Sequence, residues 1–206
     1  MPLKTPFNLS SPAKPEAHYI QDMFDKLAQN YDRFTLLTGF GQAHRWRREA
    51  LKPLTARSRV LDIGCGTGDL TLMALKDLGP QGAVVGLDFS EQMLKVAQRR
   101  YDRLSTKPVA SFSLVHQKAE DLPLEGQPFD LVVSGFVLRN LYENIIPILS
   151  GVHRSLGSGG QIRFLDLTEP RGAIRNRLFR FYMMSIVRCY GFLLFGKDYP
   201  IPYLPD

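Results

Sequence analysis

From Glu16 onward the apolar residues Ile20, Met23, Phe24, Leu27, Ala28, Tyr31 and Phe34 recur three and four places apart, which puts them on one face of an amphipathic helix. Gly39 and Gly41 interrupt that period, and a short basic helix through Trp46 and Leu51 is expected to stop at Pro53. From Arg59 the pattern changes. Short apolar runs at 60–63, 83–87, 111–115, 131–133 and 162–167 read as strands, and the stretches near 69–78, 90–104 and 143–156 read as helices between them. Such alternation implies β-α-β units and an α/β fold with a mostly parallel sheet covered on both faces. Ligands of such sheets bind at the carboxyl ends of the strands.

Residues 1–15 hold Pro2, Pro6, Pro12 and Pro15 among Ser and Lys, and read as a disordered tail. The remaining span, 16–206, is expected to form a single domain, because 206 residues suffice for one core and not comfortably for two. Two cysteines make no disulfide framework, and neither a signal-peptide pattern nor an uncharged apolar run of about 18 residues is present, so a cytoplasmic, soluble protein is expected.

The formal net charge of +6 is concentrated. Arg171, Arg175, Arg177, Arg180, Arg188 and Lys197 fall in a segment, 171–197, without an Asp or Glu, and basic and acidic residues elsewhere are equal in number. A chain-wide nucleic-acid-binding surface is therefore not expected. His18, His44, His116 and His153 show no metal-ligand spacing, so no metal is assigned.

The chemistry concentrates in Val60-Leu61-Asp62-Ile63-Gly64-Cys65-Gly66-Thr67-Gly68-Asp69, a strand entering a glycine turn that opens a helix. Glycines let the backbone approach a ligand, and the helix start offers free N–H groups. In the dinucleotide fingerprint G-x-G-x-x-G the third glycine would fall where Asp69 stands, which disfavours an NAD-binding reductase. The next strand ends at Asp88, about 20 residues on, where a carboxylate can accept from ribose hydroxyls. A nucleoside ligand fits, although a tight turn alone would also call for glycine.

With Asp88 and the A-E-D-L-P run at 119–123 followed by F-D-L-V-V at 129–133, this turn resembles the class I S-adenosylmethionine (SAM)-dependent methyltransferases. Gly135-Phe136-Val137-Leu138-Arg139-Asn140 narrows the resemblance to the ubiquinone/menaquinone biosynthesis C-methyltransferases, as do M-F-D-K-L-A-Q-N-Y-D at 23–32 and F-L-D-L-T-E-P at 164–170. The resemblance implies a Rossmann-like fold in which 16–55 forms a helical lid, 56–170 the SAM-binding core and 171–206 an apolar, basic helix and end. It places Gly64, Cys65, Gly66, Thr67 and Gly68 at the methionine part of SAM, Asp88 at the ribose and Phe89 and Met93 at the adenine, with Asp62 also in the cofactor-binding set. Lys118, Ala119 and Glu120 fall at the adenine edge, with Gly135 completing the cofactor set. Arg139 and Asn140 are the implied catalytic pair for methyl transfer to a quinol ring carbon.

Lys118 stands where that family prefers Asn or Asp, and an ammonium group cannot accept the adenine hydrogen bond. The Tyr199 to Leu204 stretch resembles the start of a segment after which relatives continue, so a sheet lacking its last two strands is expected; either the sequence is a fragment, or another chain, a second copy included, covers the open edge, or the domain is compromised. The implied substrate carries an isoprenoid tail, so 171–197 is either an interfacial helix on the inner face of a membrane or a core helix. A methyltransferase of another small molecule and a non-catalytic methyltransferase-fold partner protein remain alternatives.

Overall fold

A computed structural model describes residues 17–38, 42–168 and 170–196. The tail 1–15, Gly39, Gly41, Glu169, Lys197 and Tyr199 to Leu204 lie outside the described residues. Three helices come first, α1 (Ala17–Leu27), α2 (Tyr31–Thr38) and α3 (Gln42–Ala50). The alternating part follows with β1 (Arg59–Ile63), α4 (Asp69–Asp77), β2 (Ala83–Asp88), α5 (Glu91–Asp102), β3 (Ser111–His116) and β4 (Phe129–Gly135). After it come a one-turn helix α6 (Leu138–Leu141), α7 (Ile145–Ser155), β5 (Leu156–Leu165) and the long α8 (Ala173–Phe195).

The five strands pair in parallel in the order β3-β2-β1-β4-β5, with β1 central between β2 and β4. Central strands are buried on both faces, which is why they read as continuous apolar runs. Val60, Val84, Leu131 and Val133 face a core with Leu70, Leu72 and Leu75 of α4. Leu61, Ile63, Leu87 and Val132 face the opposite core with Ile148 and Val152 of α7. The strand order reverses between β1 and β4, whose parallel pairing sets their carboxyl ends side by side, and the site forms there.

Three expectations are corrected. The single helix expected from Glu16 through Phe34 is broken between Leu27 and Tyr31, where the Asn30 side chain donates to the Leu194 carbonyl of α8 at 3.4 Å. The helix expected from 143 starts at Ile145 after two short helical turns, with Pro147 in its first turn, where no N–H is needed. The last strand begins at Leu156, and its pairing jumps from Phe129↔Leu156 to Leu131↔Gln161, so Gly157 to Gly160 are taken up in an irregularity with Gly159 at φ +77°. It also ends at Leu165, since the Asp166 carboxylate leaves the ladder to accept from the Leu138 N–H at 3.1 Å and from the Leu167 N–H at 2.7 Å.

The helix α8 is long and apolar enough to cross a membrane by length and composition, although it contains Arg180 and Arg188. Among the described residues it is not packed as a core helix. Only 11% of its most apolar window is buried, and Ile174, Leu178, Phe181, Phe192 and Leu193 are exposed.

Candidate functional site

The glycine turn after β1 is folded against β2. The Gly64 and Cys65 N–H groups both donate to the Leu87 carbonyl, at 2.8 and 3.0 Å. One Asp88 oxygen accepts from the Gly66 N–H at 2.7 Å and the other from the Ser90 N–H at 2.9 Å. Ser90 in turn caps α5 by accepting from Met93 N–H, and its hydroxyl donates to Asp25 of α1. Gly64, Gly66 and Gly68 all have positive φ, at +66°, +55° and +86°. A Cβ at Gly66 would meet nothing within 4 Å, so this part of the turn faces open space. At Gly68 it would come within 3.0 Å of the Ala97 Cβ, so that glycine admits α5 rather than a ligand.

Asp62, 1% exposed near the end of β1, accepts the Thr71 hydroxyl on Oδ2 at 2.6 Å, while Oδ1 is buried with no hydrogen-bond partner among the described residues. Burial, with Asp88 nearby, pushes its carboxyl up to about 7, against the lowering pull of Thr71. Burial likewise raises Asp88, whose backbone N–H donors pull the other way. The Cys65 thiol is held well above its ordinary range by burial and by the same two carboxylates, so it stays protonated and unreactive.

A cleft at these strand ends is lined by Asp62, Gly64, Cys65, Gly66, Thr67, Asp88, Phe89, Met93, Gly135 and Asn140, ten of the residues singled out from the sequence. Gly68, Lys118, Ala119, Glu120 and Arg139 do not line it. Ala119 is packed into the core beside Leu87, Lys118 is exposed, and Glu120 accepts the Asn144 amide at 2.8 Å. Arg139 is exposed on α6, one residue before Asn140. Among the described residues no cluster of His, Cys, Asp or Glu is arranged to hold a metal.

Other lining residues were not assigned to the site from the sequence: Phe24 of α1, Tyr31 of α2, Asp69, Phe136 and Val137, which stand inside the quoted motifs, and Arg47 of α3 and Leu70. Phe24 meets the rings of Tyr31 and Phe89 edge-on at 6.2 and 6.1 Å, which closes the cleft with the helical preface. Phe136 has φ +62°, a left-handed conformation uncommon for a bulky residue, and its N–H donates to the Leu165 carbonyl at 2.7 Å.

A model of the ubiE/COQ5 methyltransferase family matches residues 13–204. Over 189 residues the chain is 32% identical to a demethylmenaquinone methyltransferase of Lysinibacillus sphaericus, covering 91% of this chain and 78% of that one. It is 34% identical over 187 residues to the demethylmenaquinone methyltransferase of Staphylococcus carnosus, covering 90% and 75%. The fold is similar to a SAM-dependent methyltransferase from Aquifex aeolicus with a TM-score of 0.53, 22% identity and coverage of 61% and 66%.

Proposed function

Since the chain belongs to the ubiE/COQ5 methyltransferase family and is a SAM-dependent methyltransferase, we propose that it methylates a ring carbon of a quinol in menaquinone- or ubiquinone-type biosynthesis. The observation that carries the donor half of this reading is the buried, unpartnered Oδ1 of Asp62 in the wall of the glycine-turn cleft. An isolated buried acceptor is costly, and a cationic donor such as the ammonium group of SAM's methionine part relieves it. The open space before Gly66 and the acid at the end of β2 fit the rest of the same molecule.

SAM supplies a methyl group already activated on a sulfonium, so the protein's part is to hold, align and exclude water. Asp62 accepts from the methionine ammonium, and Gly64, Cys65, Gly66 and Thr67 of the turn give that part of the molecule room. Asp88 accepts from ribose hydroxyls with lone pairs left over from its two backbone donors. Phe89 and Met93 flank the adenine, and Gly135 stands beside the donor. On the acceptor side, Asn140 orients the ring hydroxyl or a water for proton removal, and Arg139 stabilises the phenolate that makes the ring carbon nucleophilic. The lid, 16–55, shields the 56–170 core.

Calorimetric titration with SAM, with NADH as control, tests the donor site. Turnover of demethylmenaquinol tests the rest: Arg139→Ala and Asn140→Ala are each expected to lower kcat roughly 100-fold while SAM affinity stays within about twofold. Wild-type kcat in either variant removes that residue from the mechanism.

The exposed apolar residues of α8, with Arg171, Arg175, Arg177, Arg180 and Arg188, support contact with the inner face of a membrane, where a quinol with an isoprenoid tail resides. Arg180 and Arg188 inside the helix favour lying on the surface over spanning it. The protein is expected to sediment with anionic phospholipid vesicles. Arg171→Glu, Arg175→Glu and Arg177→Glu together are expected to release it without a change in Tm; undiminished sedimentation refutes the contact.

A further inference from the structure

Arg100 lies on α5, outside the motifs of the sequence, yet it reaches three other parts of the molecule. Its guanidinium donates to the Thr67 carbonyl of the glycine turn at 2.9 Å and to the Thr67 hydroxyl at 3.2 Å. It pairs with Asp69 at the start of α4 at 2.7 Å and with Asp32 of α2 at 3.0 Å. The Thr67 hydroxyl itself donates to Asp32 at 2.5 Å. The second oxygen of Asp69 pairs with Arg47 of α3 at 2.7 Å, and the Arg47 guanidinium stands 5.5 Å from the centre of the Phe136 ring.

One connected set of charges thus touches two helices of the lid, the donor turn and the segment that leads to Asn140. The side chains involved are 12 to 38% exposed, so screening by water is partial, and the forked guanidinium fixes geometry as well as charge. A cation serving only the carboxyl end of α5 would need none of these partners.

We propose that Arg100 is a positioning residue that couples the glycine turn to the lid, so that a ligand held by the turn orders α2 and α3 over it. This rests on the reading of the turn as the SAM site. A ligand that immobilises the Thr67 carbonyl and Asp69 also fixes the guanidinium, which then presents a set position to Asp32. Coupling of this kind is reciprocal: the factor by which SAM tightens the lid is the factor by which the closed lid tightens SAM.

The test is limited trypsin digestion of the full chain with and without SAM, scoring cleavage after Lys26 and Arg33, alongside calorimetry. In the wild type SAM is expected to slow lid cleavage about tenfold. In Arg100→Met the protection is expected to fall below about twofold and the SAM Kd to rise by the factor lost. Asp32→Asn, which cuts only the lid arm, is expected to lose the same protection and serves if Arg100→Met does not fold. Full SAM protection in these variants overturns the proposal, even if their Tm falls, because a merely structural arginine would lower Tm and leave protection intact. Wild-type SAM binding without lid protection overturns the proposal alone, and no SAM binding by calorimetry overturns it together with the assignment of the donor site.

Discussion

Asp62→Asn is expected to weaken SAM binding by one to two orders of magnitude and, at pH 8, to raise the Tm of the ligand-free protein. A hydrogen bond to a charged group contributes about 1.5–3 kcal/mol, and the neutral amide cannot replace it for an ammonium donor. The stability change has the opposite sign because the ligand-free site strains to hold a charge. The Asp62 carboxyl sits at about 7 when folded against an ordinary 3.8, since burial disfavours its ionised form. The folded chain therefore holds a proton that the unfolded chain has lost between about pH 4 and 7. The stabilisation this gives is complete below pH 4, declines through that window and is gone above pH 7. Above pH 7 the folded protein carries an ionised, half-partnered carboxylate, which Asn removes. SAM affinity follows the ionised form and should rise from pH 6 to pH 8 in the wild type, with that dependence lost in the variant. Calorimetry and thermal melts at both pH values decide it; equal SAM affinity for the two proteins refutes the role of Asp62.

A large loss of stability from one added methyl group is expected at Gly64. Its φ of +66° strains any L side chain, at about 1–2 kcal/mol, and an added Cβ would stand 2.7 and 2.8 Å from the two methyl carbons of Val137. Val137 is β-branched and stiff at χ1, so it cannot turn away, and overpacking of this kind costs a further 1–3 kcal/mol or so. Gly64→Ala is therefore expected to lose about 2–5 kcal/mol, a Tm drop of roughly 5–20 °C for a chain of this size. Trimming the neighbour separates the two causes. Gly64→Ala with Val137→Ala should regain the steric part and keep the backbone part, leaving about 1–2 kcal/mol. Losses that simply add in the double variant mean that the two residues do not collide.

The central strands and the donor turn could be read from the chain because their signals are local. Val60 to Ile63 and Leu131 to Val133 are buried on both faces, so apart from Asp62 they are apolar throughout, and the three glycines and Asp62 stand within seven residues of one another. Asp88 was equally legible, as a strand end at the right distance. The start of β5 was not, because Gly157, Ser158, Gly159 and Gly160 carry no apolar pattern and owe their place in the strand to a shift of register against β4. The break between α1 and α2 was hidden for a similar reason, since the amphipathic period continues across it and the partner of Asn30 is Leu194, 164 residues away.

The sequence by itself determined the order of the elements, the parallel sheet and the glycine turn with its two acids, since burial and tight turns impress themselves on neighbouring residues. Only the tertiary structure decided that Asp62 keeps one oxygen unpartnered, that Asp69 is shared by Arg47 and Arg100, and that Phe136 is turned into the cleft by a left-handed backbone. Charges report a partner only when the fold brings the two within about 4 Å, and nothing in the spacing of Asp32, Arg47, Asp69 and Arg100 along the chain encodes that meeting. The same holds for α8, where apolar composition suits a core helix and a surface helix alike, and only packing shows which side chains are left exposed.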